Sequence, residues 1–141
     1  MEPPGQRAAI LVTDRGWRVH VRDVVAVVAR AMRAAACDAD VVLTDDRTIR
    51  RLNGRDRGRN KPTNVLTYER PPEILLGLGV VRREARSAGR SVASHLSHLL
   101  VHGALHLAGH DHAAVGPARR MEREEARLLA RLRIANPWKN R

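Results

Sequence analysis

Hydrophobic positions along this chain switch between a period near 3.6 and a period of two, and the switches mark out its elements. A short apolar run, Ala8 to Val12, reads as a strand. Val21, Val24, Val25, Val28 and Met32 then recur at i, i+3, i+4, i+7 and i+11, with Arg22, Asp23, Arg30 and Arg33 mostly opposite, which predicts an amphipathic helix. Ala39 to Leu43 reads as a buried strand. Thr44-Asp45-Asp46 offers N-caps for a short helix that turns Ile49 and Leu52 inward and is stopped by Asn53-Gly54. Arg55 to Lys61 is a polar loop containing glycine, and a strand from Asn64 to Tyr68 follows Pro62.

Pro71-Pro72 breaks the chain. Ile74 to Val81 is again strand-like, with two glycines, and Arg82 to Gly89 makes a short helical connector. A long helix from about Val92 to Ala108 is ended by Gly109. The last helix runs from about Pro117 to Leu132, with Ala118, Met121, Leu128, Leu129 and Leu132 on one face. Arg120, Arg123, Arg127 and Arg131 stripe a solvated face, partly offset by Glu122, Glu124 and Glu125. No repeat or linker divides the chain. The pattern predicts a single small α+β domain over residues 1–141, with residues 1–7 frayed and a mixed sheet of about four strands packed with about five helices.

Composition narrows the function. The 141 residues carry 26 Lys plus Arg against 15 Asp plus Glu, a net charge of +11, and every basic residue except Lys61 and Lys139 is an arginine. Such a balance favours a polyanionic partner, nucleic acid first. The aromatic residues are Trp17, Tyr68 and Trp138, with no Phe, which argues against a base-stacking sheet of the kind that reads RNA through rows of aromatics. Cys37 is the only cysteine and cannot form an internal disulfide. No charged-then-apolar leader opens the chain and no apolar run approaches the roughly 18 residues of a membrane span, so the expectation is a cytoplasmic protein with no membrane partner.

Six of the seven histidines fall between residues 95 and 112. His102 and His106 are four apart on the long helix, about 6 Å along its axis, which suits two imidazoles meeting one ion. Gly109 lets the chain turn back and bring His112 to the same ion. Three histidines leave a position open, the mark of a catalytic rather than a structural site; Zn²⁺ suits them, with Ni²⁺, Co²⁺ and Mn²⁺ as alternatives. The string His102-Gly103-Ala104-Leu105-His106-Leu107-Ala108-Gly109-His110-Asp111-His112 shares its histidine and glycine spacing with certain zinc proteases. Those proteases place a Glu directly after the first histidine as general base, and here Gly103 stands there, so that route to peptide hydrolysis is lost. His98 lies about 12 Å from His106 along the axis, too far for one coordination sphere, and is expected to support or pack. His95 and His110 are expected to be exposed or supporting, and His20 to lie on the surface.

A second constellation precedes the Asn64 strand. Arg55, Arg57, Arg59 and Lys61 place a cation at every other residue, a loop suited to phosphates. At these two places, HGALHLAGHDH and RGRNKPTNVLTY, the sequence resembles the YbeY family of bacterial rRNA maturation factors, over a stretch from about Asp40 to the end. The resemblance implies an α+β fold with a small sheet, zinc held by His102, His106 and His112, and a functionally required Arg57. It also implies roles in 16S rRNA 3′-end maturation and small-subunit quality control, with a ribosomal protein and a ribosome-assembly GTPase as partners.

The expectation is therefore a zinc-dependent endoribonuclease acting on single-stranded RNA. Arg57 would stabilise charge in the transition state, while Arg57, Arg59 and Lys61 hold the RNA backbone. The general base stays open among the ion's own water, the RNA 2′-hydroxyl and Asp111. The alternative is a non-catalytic assembly factor whose zinc only stabilises the fold and whose basic surface docks rRNA.

Overall fold

The computed structural model of the chain describes residues 8–109 and 115–134. Its elements are β1 (Ile10–Val12), α1 (Gly16–His20), α2 (Val24–Ala34), β2 (Asp40–Thr44), α3 (Asp46–Arg57), β3 (Val65–Glu69), β4 (Pro72–Gly77), α4 (Leu78–Ser87), α5 (Val92–Leu107) and α6 (Val115–Arg131). The four strands form one mixed sheet in the order β1-β2-β4-β3. β1, β2 and β4 run parallel, with Val12 opposite Leu43 and Leu43 opposite Leu76. β3 is the antiparallel edge, joined to β4 by a tight turn in which Glu69 pairs with Pro72. The α+β, single-sheet expectation holds.

Strand alternation sends two sets of side chains to opposite faces. Val41, Leu43, Ile74 and Leu76 are buried in a core shared with Val24 and Val28 of α2 and Leu96 and Leu100 of α5. Leu66 and Leu75 point the other way and meet Ile49 of α3. The sheet thus lies between α2 and α5 on one side and α3 on the other. α6 packs on the outside of α5 through Met121, Leu128 and Leu129 against Val101 and Leu105. Among the described residues, no helix is long and apolar enough to cross a membrane.

Three element boundaries differ from the sequence expectation. The periodic run from Val21 to Met32 is not one helix: Val21 is extended, Asp23 is left-handed at φ 50, and the chain bends between α1 and α2. That bend buries both Trp17 and Val21, and the Trp17 indole donates to the Thr44 carbonyl at 2.9 Å. Asn53-Gly54 does not stop α3, which continues to Arg57 and ends at Gly58, left-handed at φ 70. Asn53 is buried, and its amide donates outward to the Lys61 carbonyl at 2.9 Å instead of competing for its own backbone.

The third difference lies at Ile74 to Val81, where the strand stops at Gly77 and Leu78 to Val81 opens α4. The residue before α4 is glycine and has no side chain to cap it, so the cap arrives from α3: Asp46 Oδ1 accepts from the Val80 amide at 3.0 Å. The approach requires glycine, since a Cβ at Gly77 or Gly79 would come within 2.8 or 2.2 Å of the Asp46 carboxylate.

Candidate functional site

Ser91 starts α5 as its N-cap, its hydroxyl accepting from the Ser94 amide at 3.0 Å. The helix then lies directly on the sheet, close enough at Gly103 that a Cβ there would meet Thr67 Cγ2 and Ile74 Cδ1 at 3.3 Å each. With Gly103 turned inward, His102 is half-buried and His106, one turn further, is exposed. The helix ends where Gly109 takes φ 95, a conformation suited to glycine. His110, Asp111 and His112 lie outside the described residues. Among the described residues, no group of three His, Cys, Asp or Glu side chains is arranged to hold an ion.

α6 brings a carboxylate that the sequence expectation assigned to the solvated face. Glu125 is 1 % exposed. Its Oε1 accepts from His98 Nε2 at 2.6 Å and its Oε2 from His102 Nδ1 at 3.2 Å. Burial alone would push this carboxyl up, but the hydrogen bonds from His102 and His98 outweigh it and hold the group well below its ordinary value. The signal was present in the sequence: Met121, Glu125, Leu128 and Leu129 sit at i, i+4, i+7 and i+8, so Glu125 belongs to the apolar face. His98 does not stand alone either, because Arg90 Nη1 donates to its Nδ1 at 3.1 Å.

His95 is buried rather than exposed, with Nε2 2.9 Å from Glu84 Oε1. Burial pushes its pKa down against the pull of Glu84. Asn64, just before β3, donates to the same carboxylate at 3.0 Å, so Glu84 ties α4 to α5 and to the start of β3. Asn64, Glu84, His95, His98 and His102 line one open groove of about 570 Å³. His20 is exposed, as expected.

The cationic segment is only partly a loop. Arg55 and Arg57 occupy the last turn of α3, while Arg59 and Lys61 follow in the exposed connection to β3. Arg55 is paired bidentately with Asp56, at 2.7 and 2.8 Å, and Tyr68 donates its hydroxyl to that carboxylate at 2.7 Å. These contacts hold the Asp56 carboxyl down at about 2, the bonds from Arg55 and Tyr68 being the main causes. Arg57 donates to the Thr67 carbonyl, and its guanidinium carbon lies 5.3 Å from the centre of the Tyr68 ring.

Thr67 is therefore the meeting point of two segments far apart in sequence. Its carbonyl receives Arg57, and its methyl group lies against the backbone that follows His102. An open groove lined by three histidines, in a chain of +11 charge whose Arg57 reaches the same β3 residue that α5 packs against, is suited to a phosphodiester substrate.

Comparison with known proteins agrees. Residues 6–133 match the family described as Endoribonuclease YbeY. The Endoribonuclease YbeY of Gluconobacter oxydans is 44 % identical, over 99 % of this chain and 93 % of its own length. That of a Chelativorans species is 42 % identical, over 79 % of this chain and 81 % of its own. The solution structure of TM1509 from Thermotoga maritima shares the fold, with a TM-score of 0.56 at 23 % identity over 94 % of this chain and 99 % of that one.

Proposed function

We propose, from the premise that this chain belongs to the Endoribonuclease YbeY family, that it hydrolyses phosphodiester bonds in single-stranded RNA and requires a divalent transition metal, zinc first. The observation that carries the reading is His102, one helical turn from His106 and held through Nδ1 by a buried carboxylate. A carboxylate behind an imidazole is the support a metal-binding histidine ordinarily has. The donor set fits: His102 and His106 would hold the ion, and His112 is the third donor by its spacing beyond Gly109. When bound, the ion supplies Lewis acidity toward a phosphoryl oxygen or a water molecule.

The chain's own residues account for the rest of the chemistry. Arg57, steered by the Thr67 carbonyl and the Tyr68 ring, presents a permanently charged fork toward the extra negative charge of a pentacoordinate phosphate. Arg59 and Lys61 are exposed beside it and contact the backbone on either side of the scissile bond. Gly103 supplies no proton acceptor, and its place against the sheet keeps α5 tight on β3 and β4. The substrate we assign is the precursor of small-subunit rRNA at its 3′ end, with the small ribosomal subunit, a ribosomal protein and an assembly GTPase as partners in the cytoplasm.

Elemental analysis of freshly purified protein, with an RNA cleavage assay before and after chelation and zinc return, tests the reading. One equivalent of metal and chelator-sensitive cleavage are expected, with His112→Ala folded but inactive. A folded, metal-loaded chain that binds RNA and leaves it intact would overturn the nuclease in favour of a non-catalytic assembly factor.

A further inference from the structure

Four side chains from three parts of the fold form one unbroken line: Arg90 in the connection before α5, His98 and His102 on successive turns of α5, and Glu125 on α6. Counting donors along this line fixes where each proton sits. A guanidinium only donates, so His98 Nδ1, 3.1 Å from Arg90 Nη1, must accept and carries no proton. The proton of that ring is then on Nε2, which donates to Glu125 Oε1 at 2.6 Å. The carboxylate spends its second oxygen on His102, accepting from Nδ1. His102 thereby carries a proton on Nδ1, and in its neutral form its lone pair is on Nε2.

Burial marks this line as built rather than incidental. Arg90 is a partly buried arginine whose Nη2 has no hydrogen-bond partner among the described residues. Its backbone amide is anchored to the Ala85 carbonyl at 2.8 Å. Glu125 is sealed between α6 and α5, and His98, between Arg90 and Glu125, has a side chain only 14 % exposed. The line therefore starts at a guanidinium and meets its carboxylate through one imidazole, with the second imidazole on the other carboxylate oxygen.

We propose that Arg90, His98 and Glu125 are positioning residues that lock His102 in its Nδ1–H tautomer, and so present Nε2 to the metal before the metal arrives. A neutral imidazole binds an ion through its unprotonated nitrogen, and the partner of the other nitrogen decides which one that is. The inference rests on the assignment of His102 as a metal ligand. It adds that the ligand is prepared from Arg90, three side-chain contacts away.

Long-range proton–nitrogen NMR of the full-length protein with ¹⁵N-labelled histidine reads the tautomers directly, with and without zinc. His98 is expected with its proton on Nε2 and His102 with its proton on Nδ1 in both preparations. Competition against a chromogenic chelator then measures zinc affinity. Glu125→Gln and Arg90→Met are each expected to weaken zinc binding by about 10- to 100-fold. Arg90→Lys, which keeps a donor, is expected to restore most of the loss. Thermal melting separates these effects from misfolding, and should Glu125→Gln fail to fold, the wild-type tautomers and the Arg90 pair decide alone. A proton on His98 Nδ1, or folded Arg90→Met protein with wild-type zinc affinity and tautomers, overturns the proposal. Wild-type protein showing both tautomers but binding no zinc would instead overturn the metal assignment and leave the tautomer lock standing.

Discussion

The backbone of Gly103 is pressed against Thr67, leaving 3.3 Å between the threonine methyl and any Cβ placed on the glycine. The position that carries the catalytic glutamate in zinc proteases of the same histidine spacing is, in this protein, a contact between helix and sheet. Gly103→Glu is expected to lower stability by about 1–3 kcal/mol through overpacking, and to confer no peptidase activity. Thermal unfolding and a casein digest check the two halves of that statement.

Arg57 is exposed, and among the described residues it meets the Thr67 carbonyl, the face of Tyr68 and the field of Asp56. Its removal therefore costs the fold little and the transition state much. Arg57→Ala is expected to reduce kcat by about 10²–10³-fold, in the range seen when one transition-state donor is removed. Stability should stay within about 0.5 kcal/mol of wild type. Arg57→Lys is not expected to rescue, because a point charge cannot reproduce a planar fork. Single-turnover cleavage of a model RNA alongside a melting curve decides it.

Asp45 caps α3, the helix that delivers Arg57, by accepting from the Thr48 amide at 2.7 Å. That hydrogen bond holds its carboxyl below the ordinary aspartate value. A native pKa below the unfolded one means that the stabilisation is complete above about pH 4, the unfolded value, and is lost as pH falls through the native one. Asp45→Ala is expected to cost about 1 kcal/mol at neutral pH. The gap between wild type and variant should close on acidification below pH 4, as followed by urea melts across pH.

Asp46 and Gly79 form a pair whose substitutions reverse sign together. A methyl at Gly79 would fall 2.2 Å from Asp46 Oδ2, a carboxylate already held by the Val80 amide and, at 3.0 Å, by Arg83. Gly79→Ala alone is expected to destabilise by about 1–3 kcal/mol. In an Asp46→Ala background the same change should stabilise by about 0.5–1 kcal/mol, the ordinary helix advantage of alanine over glycine. A double-mutant cycle by chemical denaturation measures the reversal.

Much of this fold was legible in the residue pattern because burial and periodicity coincide along it. β2, β3 and α5 have the predicted type and nearly the predicted limits, since each turns a regular apolar face to one layer. Local rules failed where a distant side chain overrode them. Asn53-Gly54 carries a stop signal, yet Asn53 spends its amide on Lys61 and the helix runs on. Gly77 opens a helix because Asp46, far back in sequence, caps it. In the site, spacing placed His102 and His106 one turn apart on a helix, which the structure shows, while their role as ligands and the role of Arg57 belong to the proposal. Glu125 could not be told from its acidic neighbours by charge, and only its place on the apolar face of α6 distinguished it. His112 lies outside the described residues, so the spacing alone still speaks for it.

Glu125 comes from the last helix of the described chain, and His98 and His102 have that carboxylate only after α6 has docked on α5. All four strands of the sheet precede α5 and α6 in the chain. A product truncated before α6 would therefore lack the carboxylate that orients both rings, even where its four strands were complete.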